Sequence, residues 1–287
     1  MAISRTVATI LSLTLAAPSL AQAPLPIQAP IVCGTPEPDL RVARQRDALA
    51  RSLFNPEAAK AYQIPIAFHV IAAGKKDRIS LSRIQALVNN LNVSFAGTPF
   101  SFFLHRADLI NKKAWHDDCG PGTKNEKAMK KSLAIDPAHV VNIYSCNPRV
   151  KGLPPGLVIL GMATFPDQYP ENSTSHGIAL HPSALPGGSD PDYGTYGLVG
   201  IHEMGHYLGL FHTFQGGCSD GDLVADTPAQ ASAHFACLIG IDTCSGAPGA
   251  DDTRNFMNYS NDQCMNHFTP LQVERMLIQT GFFRPSL

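Results

Sequence analysis

The sequence predicts an α/β fold in which a mixed sheet with packing helices is followed by a smaller part that depends on disulfide bonds. Strand-like and helix-like segments alternate between residues 64 and 182, which is typical of a mixed sheet. After Thr213 the chain is rich in glycine, cysteine and aspartate and has few apolar runs. With 287 residues, 44% of them apolar, the chain can bury a substantial core.

The predicted strands are short apolar segments rich in β-branched or aromatic residues. They cover residues 64–72, 100–109, 139–146, 157–165 and 175–182. Helical periodicity predicts helices at 81–92, 124–134 and 270–279, and the first of these places four apolar residues on one face, Ile84, Leu87, Val88 and Leu91. We expect 175–182 to be an edge strand because it is short.

The first 23 residues match a signal peptide. Arg5 precedes an apolar run from Val7 to Ala17, and the small residues of Ala21-Gln22-Ala23 suit cleavage after Ala23. The alternative is an apolar tail that is not removed. The run is shorter than the roughly 20 residues that span a bilayer, and no later segment comes closer, so we expect a secreted, extracellular protein with no membrane partner.

Residues 24–51 are interpreted as a propeptide or linker. Five prolines between residues 24 and 38 favour an extended chain, and the following segment to Lys60 is helical in composition, with four arginines that suit processing near Arg51. Residues 52–287 then form the main domain, with an upper part at 52–212 and a lower part at 213–287.

The balance of 22 basic and 23 acidic side chains, without a basic stripe, argues against a nucleic-acid partner. We expect a monomer.

The segment HEMGHYLGLFH at 202–212 has the spacing of a zinc site. On a helix, His202 and His206 project from one face about one turn apart, and Glu203 beside them can serve as a general base. Gly209 permits a left-handed turn that returns His212 as the third ligand. Because a catalytic zinc has three protein ligands and one open position, this pattern predicts zinc-dependent hydrolysis.

Other interpretations of the same segment stay open. The histidines are compatible with an ordinary amphipathic helix, although the extended pattern is far more specific than H-E-x-x-H alone. A secreted, non-catalytic zinc-binding or interaction protein would close the site with a fourth protein ligand, and none is evident after His212. An adhesive or toxin-like module would be expected to carry repeats or a further binding domain.

The motif and its downstream sequence resemble the metzincin peptidases, and among them the pappalysin (cytophagalysin-like, M43) family of fungal and bacterial secreted metalloproteases. The similarity extends over about 62–280 and is carried by HTFQGGC at 212–218, DTPAQ at 226–230 and NFMNYSNDQCMNHFTPLQVERM at 255–276. It implies a metzincin-like zincin catalytic domain, with the active-site helix in the upper part and protein or peptide substrates in the cleft above the lower part.

The resemblance also assigns roles to individual residues. It implies that Met257 is the Met-turn residue, for which a plain core methionine is the alternative, and that Tyr259 hydrogen-bonds the oxyanion. It implies the disulfides Cys218–Cys244 and Cys237–Cys264, which leaves Cys119–Cys146 as a pair by elimination. Cys33-Gly34-Thr35 then resembles the cysteine switch of related zymogens, the alternative being an unpaired or intermolecular cysteine.

Three weaker expectations concern calcium, specificity and substrate contacts. Asp220, Asp222 and Asp226 suit a structural calcium, as in related enzymes, or are solvated turn residues. Asp262 or Gln263 is a candidate for a specificity pocket, because an acidic side chain can pair with a basic substrate residue. The backbone of 177–180, taken as the edge strand, is expected to pair with substrate as an added strand.

Overall fold

The computed structural model describes residues 33–58, 60–149 and 158–287, with the side chains of Ala58 and Asp220 left aside. The predicted signal peptide and the first part of the proline-rich segment lie outside these residues. No helix in the described ranges combines the length and apolar character needed to cross a membrane.

The described residues form five strands and seven α-helices. The strands are β1 (Tyr62–Ala72), β2 (Phe100–Asn111), β3 (Val141–Ser145), β4 (Gly161–Ala163) and β5 (Ile178–Leu180). The helices are α1 (Leu40–Leu53), α2 (Leu81–Ser94), α3 (Lys113–Asp117), α4 (Lys124–Leu133), α5 (Val199–Tyr207), α6 (Gly217–Asp220) and α7 (Pro270–Phe283). The mixed α/β fold is confirmed, and the short helices α3 and α6 are additions to the prediction.

The strands form one sheet in the order β2-β1-β3-β5-β4, in which only β4 runs antiparallel to its neighbour. The expectation that 175–182 is the edge strand is therefore wrong. β5 lies between β3 and β4, and the edge is β4. Both strands have three residues and both are buried, so length did not distinguish them. The backbone of 177–180 is already paired on both sides and cannot accept a substrate strand.

Helix α2 shows how the sequence positions α5. Ser80 caps its start by accepting a hydrogen bond from the Arg83 N–H, and its four predicted apolar residues are all buried. Leu87 of this set packs directly on Gly200 of α5, where a side chain would overlap it. The close contact fixes α5 between α2 and the sheet.

The N-terminal helix α1 packs on α7. Asp39 caps α1, and its Asp47 pairs with Arg275 of α7 at 2.6 Å. Arg51, near which we predicted processing, lies inside α1 and pairs with Asp47 and with Glu274, at 2.9 Å in both cases. Cleavage near Arg51 would therefore require the end of this helix to open first.

Candidate active site and metal centre

Helix α5 and the turn after it bring three imidazoles together. His202, Glu203 and His206 are buried on α5, and the Nε2 atom of His206 lies 3.1 Å from that of His202. The chain leaves the helix at Gly209, whose φ of 107° lies in the region that favours glycine. His212 then returns so that its Nε2 lies 3.0 Å from that of His206.

The ring orientations leave the converging nitrogens free to bind a cation. The Nδ1–H of His202 donates to the Phe256 carbonyl and that of His206 to the Leu210 carbonyl, both at 2.7 Å. A neutral imidazole that donates at Nδ1 carries a lone pair at Nε2. Burial lowers the pKa of His202 to about 4, so its ring is neutral at ordinary pH. The lone pairs on the converging nitrogens therefore repel one another unless a cation lies between them. Three neutral imidazoles at this spacing fit a zinc ion.

Met257 and Tyr259 approach the histidines from the lower part of the molecule. Met257 is fully buried beneath α5, and a side chain at Gly205 would overlap its sulfur. The Thr213 N–H donates to the Met257 carbonyl at 3.2 Å, which joins the two segments just after His212. The Tyr259 hydroxyl lies 3.2 Å from the His212 Nε2. The structure therefore brings both residues against the segment that carries the histidines.

The segment Cys33–Thr35 lies across the site. The ligand atoms of Cys33 and the three histidines all lie within 4.8 Å of one another, and Cys33 is buried and outside any disulfide. Next to it, the Gly34 N–H donates to the Gly161 carbonyl of the edge strand at 2.8 Å. Burial, followed by the negative charge of Glu203, raises the pKa of the Cys33 thiol.

Thr35 contacts the proposed base directly. Its hydroxyl donates to Glu203 Oε2 at 3.0 Å and accepts the Ala163 N–H at 2.8 Å. Burial raises the pKa of Glu203 to about 8, which the Cys33 and Thr35 hydrogen bonds partly offset. Sequence reasoning placed Thr35 in the triplet that resembles a cysteine switch but did not predict its contact with Glu203, since nothing in the spacing of the two residues indicates one.

Comparison with known proteins identifies this site. The model of the M43 peptidase family, described as pregnancy-associated plasma protein-A, matches residues 123–280. An extracellular metalloprotease of Pyricularia oryzae is 35% identical over 266 residues, which cover 88% of this chain and 89% of the relative. The chain belongs to the M43 peptidase family. It is a zinc metalloendopeptidase, as predicted from the motif.

One further sequence relative and two solved structures are similar to this M43 peptidase. An extracellular metalloprotease of Neurospora crassa is 35% identical and covers 91% of this chain and 92% of its own length. Among solved structures, mirolysin in complex with a compound is 25% identical, with a TM-score of 0.66 over 79% of this chain and 95% of its own. A mutant of Tannerella forsythia promirolysin shares the fold, with 22% identity and a TM-score of 0.70 over 88% and 95% of the two chains.

The three predicted disulfides of the M43 peptidase are all present. Cys119 is bonded to Cys146, Cys218 to Cys244 and Cys237 to Cys264. The first lies in an apolar cluster beside β3, whereas the other two connect loops of the lower part. Cys33 is the one cysteine outside these bonds within the described part of the chain.

The structure gives Asp262 a different role from the predicted specificity pocket. Its carboxylate is buried and accepts the backbone N–H groups of three successive residues before α5, Tyr196, Gly197 and Leu198, at 2.7 to 3.2 Å. These bonds use both oxygens and hold the chain at the entry to α5, while a part of Asp262 in a specificity pocket stays a prediction. Buried carboxylates need such donors, and the sequence does not show which N–H groups fold onto them. Gln263 is exposed beside it.

The candidate calcium ligands of the M43 peptidase do not form one cluster among the described side chains. Asp222 is buried, and its Oδ1 accepts from the Val224 N–H and the Thr227 hydroxyl. Asp226 instead accepts from the Thr269 hydroxyl and the Leu271 N–H at the start of α7. The Asp220 side chain lies outside the description.

Proposed function

We propose that His202, His206 and His212 hold the catalytic zinc of this endopeptidase and that Glu203 is its general base. The observation that carries the proposal is the convergence of three buried Nε2 atoms beside a buried carboxylate. The alternative, a non-catalytic zinc-binding protein, would need a permanent fourth ligand. Cys33 is the one candidate within the described residues, and it lies on a segment interpreted as removable.

The chain's own groups account for the proton movements in peptide hydrolysis. Bound zinc supplies Lewis acidity that polarises the scissile carbonyl and acidifies water. Glu203 then accepts the proton of the attacking water and delivers it to the leaving amine. Its Oε1 makes no hydrogen bond to the described protein atoms, whereas Oε2 is held by Thr35. The Tyr259 hydroxyl is placed to donate to the developing oxyanion.

Replacement of Glu203 by glutamine tests this assignment. Gln retains the shape of the side chain but cannot accept the proton, so we expect kcat/KM to fall by about 10²- to 10⁴-fold while one zinc per chain is retained. Both proteins are treated with the same external protease, and zinc content and melting temperature are measured alongside peptide hydrolysis. Substantial hydrolysis by the Glu203→Gln protein would reject the mechanism.

We further propose that residues 24–51 are a propeptide that keeps the enzyme latent. Two contacts support this. The Cys33 sulfur lies with the three histidine nitrogens, where it would fill the open zinc position. The Thr35 hydroxyl donates a hydrogen bond to Glu203 and accepts one from the N–H of Ala163 in the edge strand. One segment thus blocks both the metal and the base.

Unprocessed variants separate the two blocks. We expect Cys33→Ala to raise the activity of the uncleaved chain and Thr35→Val to raise it less, with Thr35→Ser as the control that keeps the hydroxyl. The susceptibility of α1 to trypsin gives a second readout: Arg41, Arg44 and Arg46 are already exposed, and a released helix can unfold into the extended chain that a protease cleaves. Unchanged latency in Cys33→Ala would contradict the switch.

Secretion is proposed on two grounds. The curated relatives are extracellular proteins, and three disulfides are typical of an oxidising compartment. The expected substrates are proteins or peptides, acted on by a monomer without nucleic-acid or membrane partners. Sedimentation of the purified enzyme checks the monomer, and the N-terminal sequence of the secreted chain checks cleavage after Ala23.

Structural calcium stays a prediction, supported by one atom. Asp222 Oδ2 is buried without a hydrogen-bond partner among the described residues. Burial raises the pKa of Asp222 to about 7, although its hydrogen bonds and the charge of Arg275 act in the opposite direction. Asp226 is occupied at α7 and adds no support. Full recovery of a chelator-treated enzyme with zinc alone would reject the calcium.

A further inference from the structure

A cavity of about 280 Å³ opens beside the edge strand β4. Its walls include Met162 and Ala163 of the strand, the ring of Tyr169, and the side chains of Glu126 and Lys130 from α4. Pro36, the residue after Thr35, also lines it. The cavity is therefore already in contact with a residue of the segment that covers the active site.

The cavity lies a short distance along β4 from the catalytic base. A side chain at Gly161 would overlap Glu203, so the strand passes directly beside the carboxylate. Two residues further, the Ala163 N–H binds the Thr35 hydroxyl, and the cavity adjoins that point. A peptide that lies along β4 across Glu203 would therefore place a side chain from within about two residues of the scissile bond in this cavity.

The two charged groups in the wall neutralise each other. Glu126 and Lys130 form an ion pair at 2.8 Å, and both side chains are almost entirely buried. The Glu126 carboxylate also accepts the Gly122 N–H, and the Lys130 ammonium donates to the Ser175 carbonyl. With these groups satisfied, a charged occupant would lose its hydration without gaining a partner. The walls combine apolar groups of Met162 and Tyr169 with the uncharged polar residues Thr164 and Gln168, which suits a compact, uncharged occupant.

We propose that this cavity is a substrate subsite that selects a compact, uncharged side chain. The proposal rests on the proposed function, because it requires that substrates lie along β4. Pro36 of the covering segment forms part of the cavity wall, so removal of that segment would widen the cavity on that side. Lys130 is the residue that keeps the subsite neutral, and Tyr169 limits the size of the occupant.

Cleavage profiling of the processed enzyme with a peptide library tests the subsite. In the wild type, one position within about two residues of the cleaved bond should favour small uncharged residues over charged ones. Lys130→Met leaves the Glu126 charge unpaired, and should shift the preference at that position toward lysine and arginine by about tenfold or more. Tyr169→Ala, which removes a partly exposed ring, should raise acceptance of phenylalanine and tryptophan there.

Tyr196→Ala is the matched control, since this exposed tyrosine lies outside the cavity and should leave the profile unchanged. If Lys130→Met does not fold, as judged by its melting temperature, Tyr169→Ala decides alone. Continued hydrolysis with unaltered preferences at every position would overturn the subsite while the peptidase assignment stood. Absence of hydrolysis in the wild type would overturn both.

Discussion

The upper and lower parts of the molecule hold the metal site in different ways. His202 and His206 lie on α5, where neighbours such as Met204 are fully buried in the main apolar core. His212, the last residue of the upper part, and Tyr259 of the lower part lie outside helices and strands. Two disulfides and buried polar contacts such as His234–Asp251 stabilise the lower part around them. One half of the site thus depends on packing and the other on covalent and polar bonds. Redox state and pH should therefore act mainly on the second half.

The sharpest test compares two disulfides of equal loop length. Cys119–Cys146 in the upper part and Cys237–Cys264 in the lower part each join residues 27 apart. Replacing either pair by alanines should cost about 3 kcal/mol by loop closure. Only loss of Cys237–Cys264 should also weaken zinc binding, because that bond holds the loops around Tyr259. Denaturant unfolding and zinc titration measure the two effects. Equal losses of zinc affinity would remove the distinction.

A smaller loss of stability is expected when Asp262, which joins the two parts, is replaced. Its carboxylate, in the lower part, accepts three backbone N–H groups at the entry to α5. Asp262→Ala leaves those donors without a partner and should lower the free energy of unfolding by about 2 kcal/mol. Asp262→Asn keeps one acceptor oxygen and should lose less. Denaturant unfolding compares the three proteins, and an alanine variant as stable as the wild type would exclude this coupling.

The smallest expected effect is a pH dependence of the free energy of unfolding that arises from a histidine of the lower part. The hydrogen bond that the His267 Nε2–H donates to Asp252 raises the pKa of His267, so the folded state binds this proton more tightly than the unfolded chain does. This stabilisation is complete below the unfolded pKa near 6.5 and disappears as pH rises through the folded pKa. Because 42% of the His267 side chain is exposed, only a few tenths of a kcal/mol are involved. In His267→Gln this decline in stability should vanish, whereas an identical pH profile would assign it to other groups.

Local patterns allowed much of the fold and site to be predicted. The apolar face of α2 follows from helical periodicity, and three histidine positions follow from the geometry of one turn. Contacts between distant segments could not be predicted in this way. Thr35 and Glu203 are 168 residues apart, and the position of β5 inside the sheet depends on which strands pair rather than on its composition. The partners of the Asp262 carboxylate could not be predicted, because they are backbone groups without a sequence signature.

The contact between Gly205 and Met257 has a consequence for how this enzyme can change over evolutionary time. Gly205 occupies a position of the zinc motif that is written as variable, yet the Met257 sulfur fills the space where its side chain would stand. A larger residue at 205 can be tolerated only together with a shorter one at 257. The two positions are therefore expected to covary among descendants of this chain, so that the combined volume of their side chains stays constant.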